Sequence, residues 1–241
     1  TNFESIDISQ YLISADGSLT PIAPATVKSY SDPTGITIVH GATAAIPVPK
    51  YAYAADFSGA DVLQYTIGAN GSLTPMTTAT VAAGSTPLSV TVDPSGKYAY
   101  VANSGSNNVS QYTMARDGSL TMMAAPTVAS GAGSRSVTVD PSGKYAYVVN
   151  WSGHTVSQYT IGSNGALTPM TVATVPAWTY PESITVDPSG KYAYVATWGS
   201  NFNPGVAQYT IGADGSLAPM AAPSVASEAG PMFVTVDPSG K

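Results

Sequence analysis

Short apolar runs alternate with clusters of turn-forming residues along this chain, and no 3.6-residue period is visible in it. The clearest stretch begins at Ser89. Ser89-Val90-Thr91-Val92 alternates polar and apolar, the period of a half-buried strand. Asp93-Pro94-Ser95-Gly96 places Asp first, Pro second and Gly fourth, which suits a type I turn. Tyr98 to Ala102 is apolar throughout, as in a strand covered on both faces. A polar loop from Asn103 to Asn108 leads to a third strand, Val109 to Met114. Arg116-Asp117-Gly118 predicts a type I′ hairpin turn, because Asp-Gly tolerates the positive φ that this turn demands. Leu120 to Val128 is the fourth and outermost strand.

This unit recurs. Val-Asp-Pro-Ser-Gly-Lys occupies 92–97, 139–144, 186–191 and 236–241, and Gln-Tyr occupies 10–11, 64–65, 111–112, 158–159 and 208–209. The central spacing is 47 residues, lengthened to 50 by an insertion around Asn201–Pro204. Four short antiparallel strands, repeated radially, make the blade of a β-propeller. The fold class is therefore an all-β propeller of about five such units in a single domain, 1–241. Overlaid on the repeat, Thr1-Asn2 matches Ala102-Asn103 and Lys241 matches Lys97. That match predicts a five-unit ring whose closing blade is shared between the N-terminal strands (1–28) and the C-terminal strand (231–241). The alternative is part of a larger, seven-bladed ring.

Composition narrows the function classes. Charged residues are only 9% of the chain, against roughly 25% in ordinary soluble domains, and the net charge is −6. Lys50, Lys97, Lys144, Lys191 and Lys241 sit at matched turns, a spread of solvated charge rather than a basic stripe, so nucleic acid is not an expected partner. The chain has no Cys and two distant His, which argues against thiol catalysis, disulfides and a zinc site; no metal and no cofactor are expected. No apolar run is long enough for a membrane span. Low charge and abundant Ser, Thr and Gly suggest an exported protein, secreted, periplasmic or at the cell surface.

Tyr100-Val101-Ala102-Asn103 and Tyr147-Val148-Val149-Asn150, together with the Asp-Pro-Ser-Gly-Lys turn, resemble the YVTN-repeat, lactonase-like β-propellers. The resemblance covers essentially the whole chain. It implies a propeller, usually of seven blades, and a family that includes enzymes similar to 6-phosphogluconolactonase and to a cyclic muconate-lactonising enzyme. The recurring residues are those that build the blade, so they speak for fold more than for activity.

Function should lie where the units differ. The Asp-Pro-Ser-Gly and Asn-Gly or Asp-Gly turns make one face monotonous, whereas the loops before the first strand and after the second make the opposite face varied. Matched positions before the first strand hold Leu88, Arg135 and Glu182; those after the second hold Phe57, Ser104, Trp151 and Trp198. One residue earlier stand Asp56, Asn103, Asn150 and Thr197, and Trp178, Tyr180 and His154 fall in loops of the same face. Trp151, Trp198, Trp178, Tyr180, Phe57, Asp56, Asn103 and Asn150 are thus the candidate ligand-binding residues, with Arg135, Glu182 and His154 as candidate catalytic groups. Each has a structural reading beside the functional one: the aromatics can seal joints between blades, Arg135 and Glu182 can form a rim ion pair, and His154 has no evident orienting partner.

Three functions fit these residues. The first is a non-catalytic exported binding or scaffold module whose aromatic face takes a carbohydrate or protein partner. The second is a lactonase-like hydrolase acting on a small lactone, as the resemblance implies. The third is an engineered or reconstructed repeat without an evolved ligand.

Overall fold

The structure is a computed structural model that describes residues 7–13, 18–28, 33–40, 49–199, 205–227 and 230–237. Phe3, Phe202, the 201–204 insertion and Lys241 lie outside them. The described residues form eighteen strands and no helix, and hence no helix long and apolar enough to cross a membrane. Four complete antiparallel sheets run in chain order: blade II is β3 (Pro33–His40), β4 (Pro49–Asp56), β5 (Asp61–Ile67) and β6 (Leu73–Ala82); blade III is β7–β10 between Pro87 and Ala129; blade IV is β11–β14 between Ser134 and Pro176; and blade V is β15–β18 between Pro181 and Ala226. β1 (Asp7–Ile13) and β2 (Leu19–Lys28) pair as a two-stranded sheet, blade I. In blade III the strands are β7 (Pro87–Val92), β8 (Tyr98–Asn103), β9 (Asn108–Met114) and β10 (Leu120–Ala129), within two residues of the expected bounds.

The all-apolar second strand has a direct explanation. Alternate side chains of a strand point to opposite faces, and each face of a blade meets a different neighbour. Tyr100 and Ala102 of β8 pack with Val137, Ala146 and Val148 of blade IV, while Ala99 and Val101 pack with Tyr53 and Val62 of blade II. Tyr147 and Val149 of β12 (Tyr145–Asn150) likewise join Ile184, Val195 and Tyr209 of blade V. The hydrophobic core is therefore divided among the joints between blades.

Polar side chains repeat across those joints. The Gln of the first four Gln-Tyr pairs donates to its own outer strand and accepts from the next blade: Gln64 Nε2 donates to Thr78 O at 3.0 Å, and Leu120 N donates to Gln64 Oε1 at 2.8 Å. Gln111 serves Leu167 in the same way, and Gln158 serves Leu217. The adjacent Tyr reaches back, Tyr112 to Ala82 O and Tyr159 to Ala129 O. Tyr98 and Tyr100 reach forward onto the turn of blade IV at Ser163 O and Gly165 O.

The Asp-Pro-Ser-Gly turns are held as their chemistry suggests. Asp93 Oδ1 accepts from Lys97 N and Tyr98 N at 2.9 and 2.7 Å, and Asp140 repeats this with Lys144 and Tyr145. The turn at Arg116-Asp117-Gly118 differs from the expected type I′. Only Gly118 has positive φ, +82°, and Gly118 N donates to Ala115 O. Asp117 stays in the ordinary region because its Oδ1 accepts from Ser119 N, giving a type I turn closed by a left-handed glycine.

Among the described residues β1 and β2 pair with each other, and 231–237 join no sheet. That segment lies beside blade V, where Val234 N donates to Ser183 Oγ at 2.9 Å. It repeats the contacts of Val137 N with Ser89 Oγ and Ile184 N with Ser136 Oγ, so 231–237 sit where the first strand of a further blade would.

Candidate functional site

The varied face gathers its chemistry at one joint, between blades IV and V. Arg135 enters from β11 (Ser134–Val139), and Trp151 follows the end of β12. His154 precedes β13 (Thr155–Ile161). From blade V come Tyr180, just before β15 (Pro181–Val186), and Glu182 within it. Arg135 Nε and Glu182 Oε2 form an ion pair, and Trp151 Nε1 donates to Glu182 Oε1 at 3.0 Å. The Arg135 guanidinium lies 5.8 Å from the centre of the Trp151 ring, within cation–π range. Trp151 stacks at a tilt on Tyr180, centroids 4.5 Å apart, and Tyr180 meets the edge of His154 at 4.9 Å.

Burial decides what these groups can do. The Glu182 side chain is 5% exposed and both its oxygens are engaged, so it acts as a fixed anion that orients Arg135 and Trp151. Arg135 is 33% exposed, and its guanidinium has donors beyond the Nε that serves Glu182. The joint thus presents a partly exposed, oriented cation beside two stacked aromatic rings. That arrangement suits a carbonyl or carboxylate oxygen with an apolar ring against it.

The other expected residues lie elsewhere. Asn103 and Asn150 are fully buried beneath the face. Asn103 Nδ2 donates to Asn108 Oδ1 and Ser110 Oγ, and Asn150 Nδ2 to Thr155 Oγ1 and Ser157 Oγ, so both tie two strands of their own blade together. Asp56 is fully buried in blade II at the same position, opposite Asp61, and the two line a cavity of about 590 Å³ with Ser58, Thr78 and Thr80. Burial, then the neighbouring Asp56 charge, raises the Asp61 pKa. Phe57 is half-buried on blade II. Trp178 packs on the core between blades IV and V and lines a separate apolar groove of about 460 Å³ with Pro176, Tyr209, Pro219 and Pro223. Trp198 is 47% exposed. Arg116 lies on the opposite face, its carbonyl accepting from Tyr51 Oη. Among the described residues no three His, Cys, Asp or Glu side chains gather to hold a metal ion.

Sequence reasoning did not find an orienting partner for His154. The partner is a backbone group: Tyr180 N donates to His154 Nδ1 at 3.0 Å. The repeat carries the signal, because 47 residues earlier Gly133 N donates to Asn107 Oδ1 at 2.7 Å.

Four complete blades, a two-stranded blade and a cluster on the varied loop face define a β-propeller with a polar-aromatic site at a blade joint. The chain belongs to the lactonase family of seven-bladed β-propellers, whose model matches residues 1–241. Its five sheets fit part of such a seven-bladed ring. Two similar solved structures are proteins from Bacteroides uniformis and Bacteroides fragilis, both provisionally named 6-phosphogluconolactonase. Each is 23% identical over 96% of this chain; the chain covers 68% and 67% of them, with TM-scores of 0.78 and 0.77. The periplasmic gluconolactonase of Pseudomonas aeruginosa is 18% identical over 88% of this chain and 65% of its own, with a TM-score of 0.64. At these identities the likeness is one of fold. No curated protein matches the chain.

Proposed function

We propose that this chain is a lactonase-like hydrolase that binds a small lactone at the joint between blades IV and V. The observation that carries the reading is Arg135, partly exposed and oriented by the buried Glu182, beside the stacked Trp151 and Tyr180 rings. Membership of the lactonase family supplies the substrate class.

Hydrolysis adds water to the lactone carbonyl carbon and breaks the ring C–O bond, giving a hydroxy acid. Negative charge gathers on the carbonyl oxygen as water adds. A guanidinium already aimed at that oxygen stabilises the charge without reorganising, and a single such donor is worth about 10²–10³ in rate. The aromatic pair gives the apolar ring face a surface and excludes water from one side.

The binding-module reading keeps one specific support. Both Glu182 oxygens and His154 Nδ1 are engaged, which leaves the cluster no free base. Hydrolysis of five- and six-membered lactones by wild type, Arg135→Ala and Glu182→Ala separates the two. Turnover that falls at least a hundredfold in both variants supports the hydrolase. Wild-type rates equal to buffer, with a lactone or hydroxy acid still bound in an Arg135-dependent way, support the binding module.

A further inference from the structure

We propose that His154 faces the joint as a hydrogen-bond donor, locked as the Nε2–H tautomer, and selects ligands that carry an oxygen acceptor. The ligand half of this rests on the proposed site at the joint; the tautomer does not. A backbone N–H can only donate, so the Tyr180 N–H at 3.0 Å from Nδ1 requires a bare nitrogen there. The proton of the neutral ring then sits on Nε2.

The repeat corroborates the assignment. His154 and Asn107 occupy the same place in blades IV and III, both in left-handed backbone, with φ +52° and +51°. Their donors also match: Gly133 has φ +71° and Tyr180 +54°. The loop geometry is therefore common to both joints, and its contact is an acceptor side chain capping a backbone N–H across the joint. Asn107 satisfies it with Oδ1, and His154 satisfies it with Nδ1. Asn would suffice for the cap. What His adds is a second nitrogen beyond it, on a half-buried ring packed edge-on to Tyr180.

Since its lone pair is consumed by the cap, the neutral ring offers no base to the joint. It offers a neutral donor at the other end of a run of contacts that leads from Arg135 through Trp151 and Tyr180 to His154. A ligand lying across the two rings meets a cation at one end and a donor at the other, which fits a polyhydroxylated lactone or its hydroxy acid better than a plain hydrocarbon lactone.

The test is nitrogen-15 NMR of the histidine rings in the whole chain, above the pH at which imidazole titrates. There are only two His, so loss of one ring's signals in His154→Asn assigns it. A single Nε2–H tautomer is expected; an Nδ1–H tautomer, or the average of a free imidazole, overturns the proposal. Gluconate is the ligand probe. It should perturb the His154 Nε2 resonance, and His154→Asn should bind it about tenfold more weakly while melting like wild type. Unchanged affinity in His154→Asn, or no perturbation of Nε2 by gluconate, overturns the ligand role even if lactone turnover through Arg135 is found. His154→Ala, which loses the cap as well, should melt below His154→Asn; equal melting overturns the cap.

Discussion

The joint between blades III and IV and the joint between blades IV and V share one backbone and differ in a handful of side chains. Where the first has Ser104, Asn107, Gly133 and the pair Leu88 and Arg135, the second has Trp151, His154, Tyr180 and the pair Arg135 and Glu182. The opposite face shows no such divergence: Tyr100 Oη reaches Gly165 O and Tyr147 Oη reaches Gly215 O, both at 2.7 Å. One face of each joint is scaffold. The other is plain at one joint and carries the polar-aromatic cluster at the next. Packing alone does not require the change, because the plainer joint keeps its buried core and its cap with Asn107 and Gly133.

Alkaline pH should act on the scaffold at every joint alike, with the largest effect. Burial pushes the phenols of Tyr112, Tyr159 and Tyr209 up to about 12 from the ordinary 10.0. A raised folded pKa means the stability is complete below pH 10 and is lost as pH rises through about 12. Melting temperature against pH, with tyrosinate absorbance, should show one cooperative loss in that window; stepwise loss would break the equivalence of the joints.

Next in size are the turn glycines of the plain face. Gly165 has φ +80°, and a Cβ there would overlap the Tyr98 ring; Gly215 has φ +82° and meets Tyr145 in the same way. Each Gly→Ala change should cost about 1–2 kcal/mol for the left-handed backbone and about 1–3 kcal/mol more for the overlap. Gly71, with φ +83° and only Ile22 Cδ1 at 3.8 Å, should show the first cost alone. Denaturant titration of the three variants checks the difference.

Glu182→Leu makes the second joint more like the first. It removes the acceptor of Trp151 Nε1 and the partner of Arg135. The expected loss is about 1–2 kcal/mol, since the partly exposed Arg135 can turn to water. Lactone turnover should fall with it, whereas Ser104→Ala at the plainer joint should leave turnover unchanged.

The smallest effect is a gain, in blade II. Asp56 and Asp61 stand where blade III has Asn103 and Asn108, whose side chains bond at 2.8 Å. Burial and the Asp56 charge raise the Asp61 pKa, so its ionised form lowers stability as pH rises through that pKa. Asp61→Asn should add about 1 kcal/mol at neutral pH and less in acid, as read by melting temperature. A loss would mean that the contacts of Asp61, its hydrogen bond with Thr80 among them, outweigh the repulsion.

Much of the candidate site was legible as positions on the varied face. Arg135, Glu182, Trp151, Tyr180 and His154 were all placed there by matching the units, and the structure brings these five together. Asn103 and Asn150 were placed there too, yet their amides turn inward, because a strand-end residue can point into the blade as readily as out of it. The turn at Asp117 differs in type from the expectation because Ser119 supplies a local donor that removes the need for a second positive φ.

By itself the sequence determined the strands, the places of the turns and the apolar second strand of each complete blade, since all of these follow from local period and turn chemistry. Only the tertiary structure decided that Arg135 meets Glu182 across a joint 47 residues along the chain, and that Tyr180 N caps His154 Nδ1. Those contacts depend on how one sheet stacks on the next, and that stacking is set by the shared cores between blades, which no local pattern of polar and apolar residues encodes.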